Sequence, residues 1–402
     1  MRQLNMKVLF FGVYNINDTV NNRTRILLKG LKNLGVEVEE CNAPVASWKR
    51  FWHLANQYRK TNKDYDIMFL AHGGAQLVAP LARILTRKKI VADPIVSLYD
   101  TMVHDRKKCR RMSIRGFYYY FIDWLMIKLV DIVILDTEEN IKYFSNNFHA
   151  KRSKFKRLFI GSENTPCPIR EMATARDFVV HFHGYFIPLH GIEYIVRAAK
   201  ILENEHVIFR IMGKGQTYRH TKKLAEELRV KNVNFIDPVP RSDIQKYLCD
   251  SDVVLGIFGN TDKALRVIPN KAYDALAAGK ALITADTPAI KELLEDRNNC
   301  LLCRIADPGD LAAKVLELKN NQNLLKKILG YTAVAHYAHE TATTIQIDSL
   351  IVSLLFKEVL KTGSNSHSKK IPPVVFNSDP LMRERFLLAY LAGDGYPSKI
   401  FT

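Results

Sequence analysis

The stretch ALRVIPNKAYDALAAGKALITADTPAIKELL, residues 264–294, concentrates residue types that bind anions. Pro269 suits the first turn of a helix, where its missing N–H costs nothing. Such a helix start carries partial positive charge and unpaired N–H donors. Arg266 precedes it, Asn270 and Lys271 fall in its first turn, and Asp274 follows about one turn later. Arg presents a fork to phosphate oxygens and Lys a point charge. A dianionic group at this point is the chemical expectation. The competing reading is an amphipathic helix with solvated charges.

A second anion site is expected in HGYFIPLHGIEYIVRAAKIL, residues 183–202. Gly184 permits close backbone approach, and Gly191 opens a helix whose free N–H groups attract phosphate. Tyr185 and His190 stand between them. The GKG at 213–215 puts Gly213 and Lys214 on a turn. It lacks the third glycine of a dinucleotide fingerprint, so a nicotinamide cofactor is not expected. In the first half of the chain, loops after strands carry Gly12, Arg23, His72, Gly73, Asp93, Asp100 and His104. A lone His or Asp in a loop is more often a solvated group than a catalytic one.

These residues need strands and helices to hold them. Apolar runs such as KVLFF (7–11), YDIMFL (65–70) and VDIVILD (130–136) alternate with helical patterns to residue 161. Residues 162–176 carry two prolines and no period, a linker. The pattern restarts with DFVVHFHG (177–184) and continues through strands at 206–212, 252–258 and 281–284 and helices at 269–278 and 287–295. Continuous apolar strands between helices mean parallel, doubly wound sheets. The expected organisation is an α/β chain of two Rossmann-like domains, 1–161 and 177–335, facing a cleft. Residues 336–402 form a helical and polar tail. Ligands of such sheets bind at the carboxyl ends of the strands.

Composition narrows the classes. Of 402 residues, 47% are hydrophobic and 25% charged, ordinary soluble-globular values. The net charge is +18, and residues 1–175 hold 29 Lys and Arg against 16 Asp and Glu. A basic first half implies an anionic partner. The basic runs DRKKCRRMSIR (105–115) and KRSKFKR (151–157) flank the aromatic helix GFYYYFIDWLMIKL (116–129). A basic arm beside such a helix suits the surface of an anionic membrane; the competing reading is a core helix next to a solvated basic loop. Nucleic acid is not expected, because no recognition module accompanies the charge. Asp123, Lys128 and Asp131 break the longest apolar run short of a bilayer span. The six cysteines suggest no disulfide framework, and CLLC (300–303) lacks a second ligand pair for zinc. Buried thiols and a cytoplasmic setting, with contact to the inner membrane face, fit best.

The order and spacing of HGYFIPLHGIEYIVRAAKIL, VIFRIMGKG (207–215), NVNFIDPVP (232–240), SDVVLGIFG (251–259) and the opening stretch resemble the family 4 retaining glycosyltransferases of the GT-B fold. The resemblance implies transfer of a sugar from a nucleotide sugar to a lipid-linked or saccharide acceptor, with retention of configuration. It implies no metal and no cofactor besides the donor substrate. Donor contacts would come from Gly184, Tyr185, His190, Gly191, Gly213, Lys214, Pro269, Asn270, Asp274, Thr287 and Glu292, with Asp274 on the ribose. Arg266, Lys271, Asp100 and His104 would serve the reaction. Gly12, Arg23, His72, Gly73 and Asp93 would face the acceptor. The family carries Arg and Lys where Tyr185 and His190 stand, and Glu where Arg266 stands. Alternatives are a nucleotide-sugar 2-epimerase of the same fold and a degenerate, non-catalytic subunit.

Overall fold

The computed structural model describes residues 6–14, 22–43, 47–168, 176–325 and 327–328. The expected tail at 336–402, most of the loop between Gly12 and Arg23, and part of the 162–176 linker lie outside the described residues.

Two six-stranded sheets organise the chain. The first is built by β1 (Lys7–Gly12), α1 (Asn22–Asn33), β2 (Glu37–Asn42), α2 (Lys49–Lys60), β3 (Ile67–Leu70), α3 (Ala75–Leu85), β4 (Lys89–Ile95), α4 (Ile114–Leu129), β5 (Ile132–Leu135), α5 (Glu138–Asn147) and β6 (Phe155–Arg157). Its strand order is β2-β1-β3-β4-β5-β6. The second comprises β7 (Phe178–His183), α6 (Ile192–Ile201), β8 (Val207–Met212), α7 (Tyr218–Glu227), β9 (Val233–Ile236), α8 (Arg241–Cys249), β10 (Val253–Leu255), α9 (Asn270–Ala277), β11 (Ala281–Ala285), β12 (Leu301–Cys303) and α10 (Pro308–Asn320). Its order is β12-β11-β10-β7-β8-β9. Every pairing is parallel.

Each sheet is buried on both faces, which is why its strands read as unbroken apolar runs. In the first, Leu9, Met68 and Val133 face α2–α5, while Val8, Phe10 and Phe69 face α1. In the second, Val180, Phe209 and Leu255 pack under α6, α7 and α10, and Val254 and Leu282 under α8 and α9. Strand order reverses between β1 and β3 and between β7 and β10. The carboxyl ends at those two points are where such folds form ligand crevices.

The structure corrects several local expectations. The helix expected over 287–295 shrinks to one 3₁₀ turn, Ile290–Glu292. The strand expected over 252–258 stops at Leu255. The long loop from Asp93 is instead a continuation of β4 past a register shift, followed by a wide helical turn at Asp100–Asp105. Cys167 and Cys249 form a disulfide with Cα atoms 5.1 Å apart, contrary to the expectation of unpaired thiols. It ties the segment after the first sheet to the end of α8. Closing a loop of 82 residues stabilises by about 4.5 kcal/mol in the chain-entropy account. Cys300 and Cys303 are buried, as expected.

Candidate functional site

The site begins where β7 ends. Gly191 takes the left-handed conformation, φ 59°, at the start of α6, and a Cβ there would lie 2.5 Å from the Gly259 nitrogen. A Cβ on Gly213 would strike the Gly184 carbonyl. Glycine at both positions lets three connecting segments close on one point. Tyr185 turns outward, 56% exposed.

His190 is buried in the turn between them. Its Nδ1 contacts the Tyr185 carbonyl, which can only accept, so Nδ1 carries the proton. The Nε2 lone pair then accepts from Lys271 Nζ at 3.2 Å. Burial, followed by the nearby Lys271 charge, holds His190 well below its usual range. It is therefore a neutral acceptor, not the protonated cation that an anion site would use. Lys271 lies in the first turn of α9, is itself buried, and sits 4.8 Å from the centre of the Phe182 ring. Burial pushes its pKa down to about 7, against the opposing pull of Asp274. Pro269 precedes the helix, Asn270 is exposed, and among the described residues no side chain caps α9. The N–H donors of that helix start are thus uncommitted to a side-chain cap, as the sequence suggested.

Arg266 points elsewhere. Its Nη2 donates to Asp100 Oδ1 at 2.8 Å, and its guanidinium lies 4.2 Å over Tyr143. Asp100 is held by the wide turn, whose start is anchored from below by α4. There Asp123 accepts from Ser97 Oγ at 2.7 Å and from the Leu98 and Tyr99 N–H groups. Burial raises Asp123 to about 6. The Arg266 carbonyl also accepts from Thr137, the N-cap of α5. Arg266 therefore joins the two sheets. Lys263, three residues earlier, does the same: its buried Nζ donates to Thr101 at 2.8 Å and lies 3.6 Å from Asp105. Gln216 donates to the Arg106 carbonyl at 3.2 Å from the GKG side. Lys263 and Gln216 were not singled out from the sequence, and Asp123 only as a break in an apolar run. The signal for Asp123 was an acid in the middle of an apolar helix, which must find donors if buried.

Four expected donor contacts have other partners. Asp274 is buried; Oδ1 accepts from Ser162 at 2.6 Å and Asn164 at 2.9 Å, and Oδ2 lies 3.2 Å from His183 Nε2. It anchors the segment after the first sheet to α9. Glu292 accepts from the Glu138 and Glu139 N–H groups at 2.8 and 3.1 Å and from Arg157. It caps α5 across the domain boundary. Thr287 Oγ1 accepts from the Ile290 N–H and shapes the 3₁₀ turn. Lys214 pairs at the surface with Asp237, 3.0 Å away.

On the first sheet, Gly12 ends β1 against Ala71. His72 is half-buried, held low by burial, with Nδ1 unpartnered. Gly73 is exposed, φ 98°. Arg23 and Asp93 are sealed together at 2.7 Å inside the domain, with Arg23 also donating to the Leu158 carbonyl. Neither is open to an acceptor, because β4 runs on past Ala92 and buries Asp93. His104 is exposed, its ring against Tyr99. The structure thus brings Gly184, His190, Gly191, Gly213, Pro269, Asn270 and Lys271 together, with Asp100 and Arg266 at the junction of the sheets. It leaves Arg23, Asp93, Glu292 and Thr287 in structural contacts.

Two tandem Rossmann-like sheets meeting at their carboxyl ends define the GT-B class of glycosyltransferase folds. The structure is similar to Anabaena Alr3699/HepE in complex with UDP-glucose, with a TM-score of 0.64, 15% identity, and coverage of 87% of this chain and 100% of that one. It is similar to sucrose-phosphate synthase from Thermosynechococcus elongatus, with a TM-score of 0.68, 13% identity and coverage of 87% and 99%. Within that class, residues 177–321 match the family model Glycosyl transferases group 1. An uncharacterized glycosyltransferase of Methanocaldococcus jannaschii is 22% identical over 149 residues, 37% of this chain. The match spans 40% of that relative's length.

Proposed function

We propose that this protein is a retaining glycosyltransferase that moves a sugar from a nucleoside-diphosphate sugar to a lipid-linked or saccharide acceptor. An anionic membrane surface is its further partner. The observation that carries the reading is Lys271, buried at an uncapped helix start, at the strand-order reversal of the group 1 domain. A bound diphosphate would meet the α9 N–H donors and Lys271 together. Charge on the leaving phosphate grows as the glycosidic bond breaks, so fixed cations there favour the transition state over the ground state. His190 holds Lys271 in place through Nε2. Arg266 belongs to this reading only if a phosphate oxygen displaces Asp100 from its fork. We divide the chain into domains 1–161 and 177–335 with residues 162–176 as the connection, a reading that the two separate sheets support.

The domain match and the UDP-glucose held by the Anabaena neighbour make UDP-sugars the first donors to test. Thermal shift across UDP-, GDP- and ADP-sugars selects the donor. Release of the nucleoside diphosphate on adding acceptor establishes transfer. Stabilisation with no release under any acceptor would leave a binding subunit, and conversion of the donor to its 2-epimer would move the protein to the epimerases.

A further inference from the structure

We propose that the starts of α2 and α4 together form a docking face for an anionic lipid bilayer, at the edge of the first domain that borders the cleft. Two separate segments expose large apolar side chains. At α2 these are Trp48, 75% exposed, and Trp52, 63% exposed. At the start of α4 they are Met112 and Ile114, 93% and 90% exposed, and Phe117. Tryptophan is at home in the headgroup region, where its ring meets hydrocarbon and its N–H meets water.

The two segments share one edge. Leu54 of α2, Val78 and Ala79 of α3, and Met126 and Ile127 of α4 belong to one core cluster on one face of the first sheet. α3 packs against both α2 and α4. All strands of the sheet are parallel, so the helices that return from them start at the carboxyl edge. The exposed aromatics of α2 and α4 therefore flank the start of α3. Ile84, equally bare, is at the opposite end of α3.

The charge is of one sign on both segments. Lys107, Lys108, Arg110, Arg111 and Arg115 are exposed before and within α4, and residues 106–122 contain no Asp or Glu. Lys49 is exposed beside Trp48, and residues 47–60 contain no acid either. Each basic residue near an anionic surface adds favourable energy that salt screens. A second copy of the chain is disfavoured as the occupant, because an isologous contact would set this positive face against itself. An anionic bilayer satisfies the apolar and the charged side chains at once. Docked so, the face sets the cleft beside the lipid surface, where a lipid-linked acceptor would be found. This orientation rests on the transferase reading; the docking does not.

The test is co-sedimentation of the full chain with vesicles of phosphatidylcholine alone or with a third phosphatidylglycerol. The wild type should bind the anionic vesicles, lose binding in 0.5 M salt, and leave the neutral vesicles free. Trp48→Ser with Trp52→Ser, and Ile114→Ser with Phe117→Ser, should each weaken binding at least tenfold. Ile84→Ser should leave it unchanged. The substituted side chains are exposed, and an unaltered melting temperature confirms the fold. Absence of wild-type binding, equal binding by both double variants, or a concentration-dependent dimer that the variants abolish would each overturn the proposal. Vesicle binding without any nucleotide-sugar binding would remove the transferase reading and leave the docking face standing. Nucleotide-sugar binding without vesicle binding would do the reverse.

Discussion

The two domains of this protein bury charge in opposite ways. At the first, Arg23 lies against Asp93 and donates onward to the Leu158 carbonyl. Cation and anion cancel, and the pair is sealed in the domain. At the second, Lys271 is equally buried but pairs with a neutral imidazole, and the acid one turn away gives its oxygens to Ser162, Asn164 and His183. A balanced buried pair holds a fold together. A buried lysine paired with a neutral imidazole is held toward its neutral form, and an anionic ligand can restore its charge. A buried cation therefore marks a structural joint in the first domain, where a carboxylate faces it, and a candidate binding site in the second, where a neutral imidazole does.

The sharpest way to break that comparison is to remove the cation at each place. Arg23→Met leaves Asp93 buried and unpaired, which costs about 3–5 kcal/mol when one partner of a buried pair is lost. Urea unfolding should show a drop of that size. A variant as stable as the wild type would mean that the first site is not the closed joint described. Lys271→Met should do the opposite: it should keep or raise stability, because the side chain no longer has a charge to desolvate. Turnover with the correct donor should fall roughly a hundredfold, the scale of losing one transition-state charge donor, with donor affinity less affected. Near-normal turnover in the folded variant would place the leaving group elsewhere.

A smaller effect sharpens the same contrast. Burial pushes Lys271 down to about 7, so above that pH it is mostly neutral. A bound diphosphate favours the charged form and raises that value. Binding of UDP at pH 8 should therefore take up a proton, approaching one per site. The uptake should fade below pH 7, where Lys271 is already charged, and disappear in Lys271→Met. Calorimetry in two buffers of different ionisation enthalpy measures it directly. Identical heats in both buffers would show that Lys271 does not meet the phosphate.

Burial also decided how far the sites could be read in advance. The period of apolar residues is a local property, so the alternation of strands and helices and the restart at residue 177 were legible from the chain. So was the start of α9, because Pro269 and the residues after it mark a helix terminus locally. The partners of charged side chains are not local. Arg266 reads as a phosphate ligand until Asp100, 166 residues away, is brought to its fork. Glu292 reads as a donor contact until its carboxylate is found capping α5, 154 residues distant.

The sequence by itself determined the class of fold, the repetition of its two halves and the segments from which the site is drawn, because these follow from hydrophobic period and from the backbone freedom of glycine and proline. Only the tertiary structure decided which charges were spent. Contact between groups far apart in the chain pairs Arg23 with Asp93 and Asp274 with Ser162, and bonds Cys167 to Cys249. It leaves Lys271, buried beside a neutral histidine, facing the cleft end of β7, because a folded interior must satisfy each buried charge from whatever groups packing places beside it.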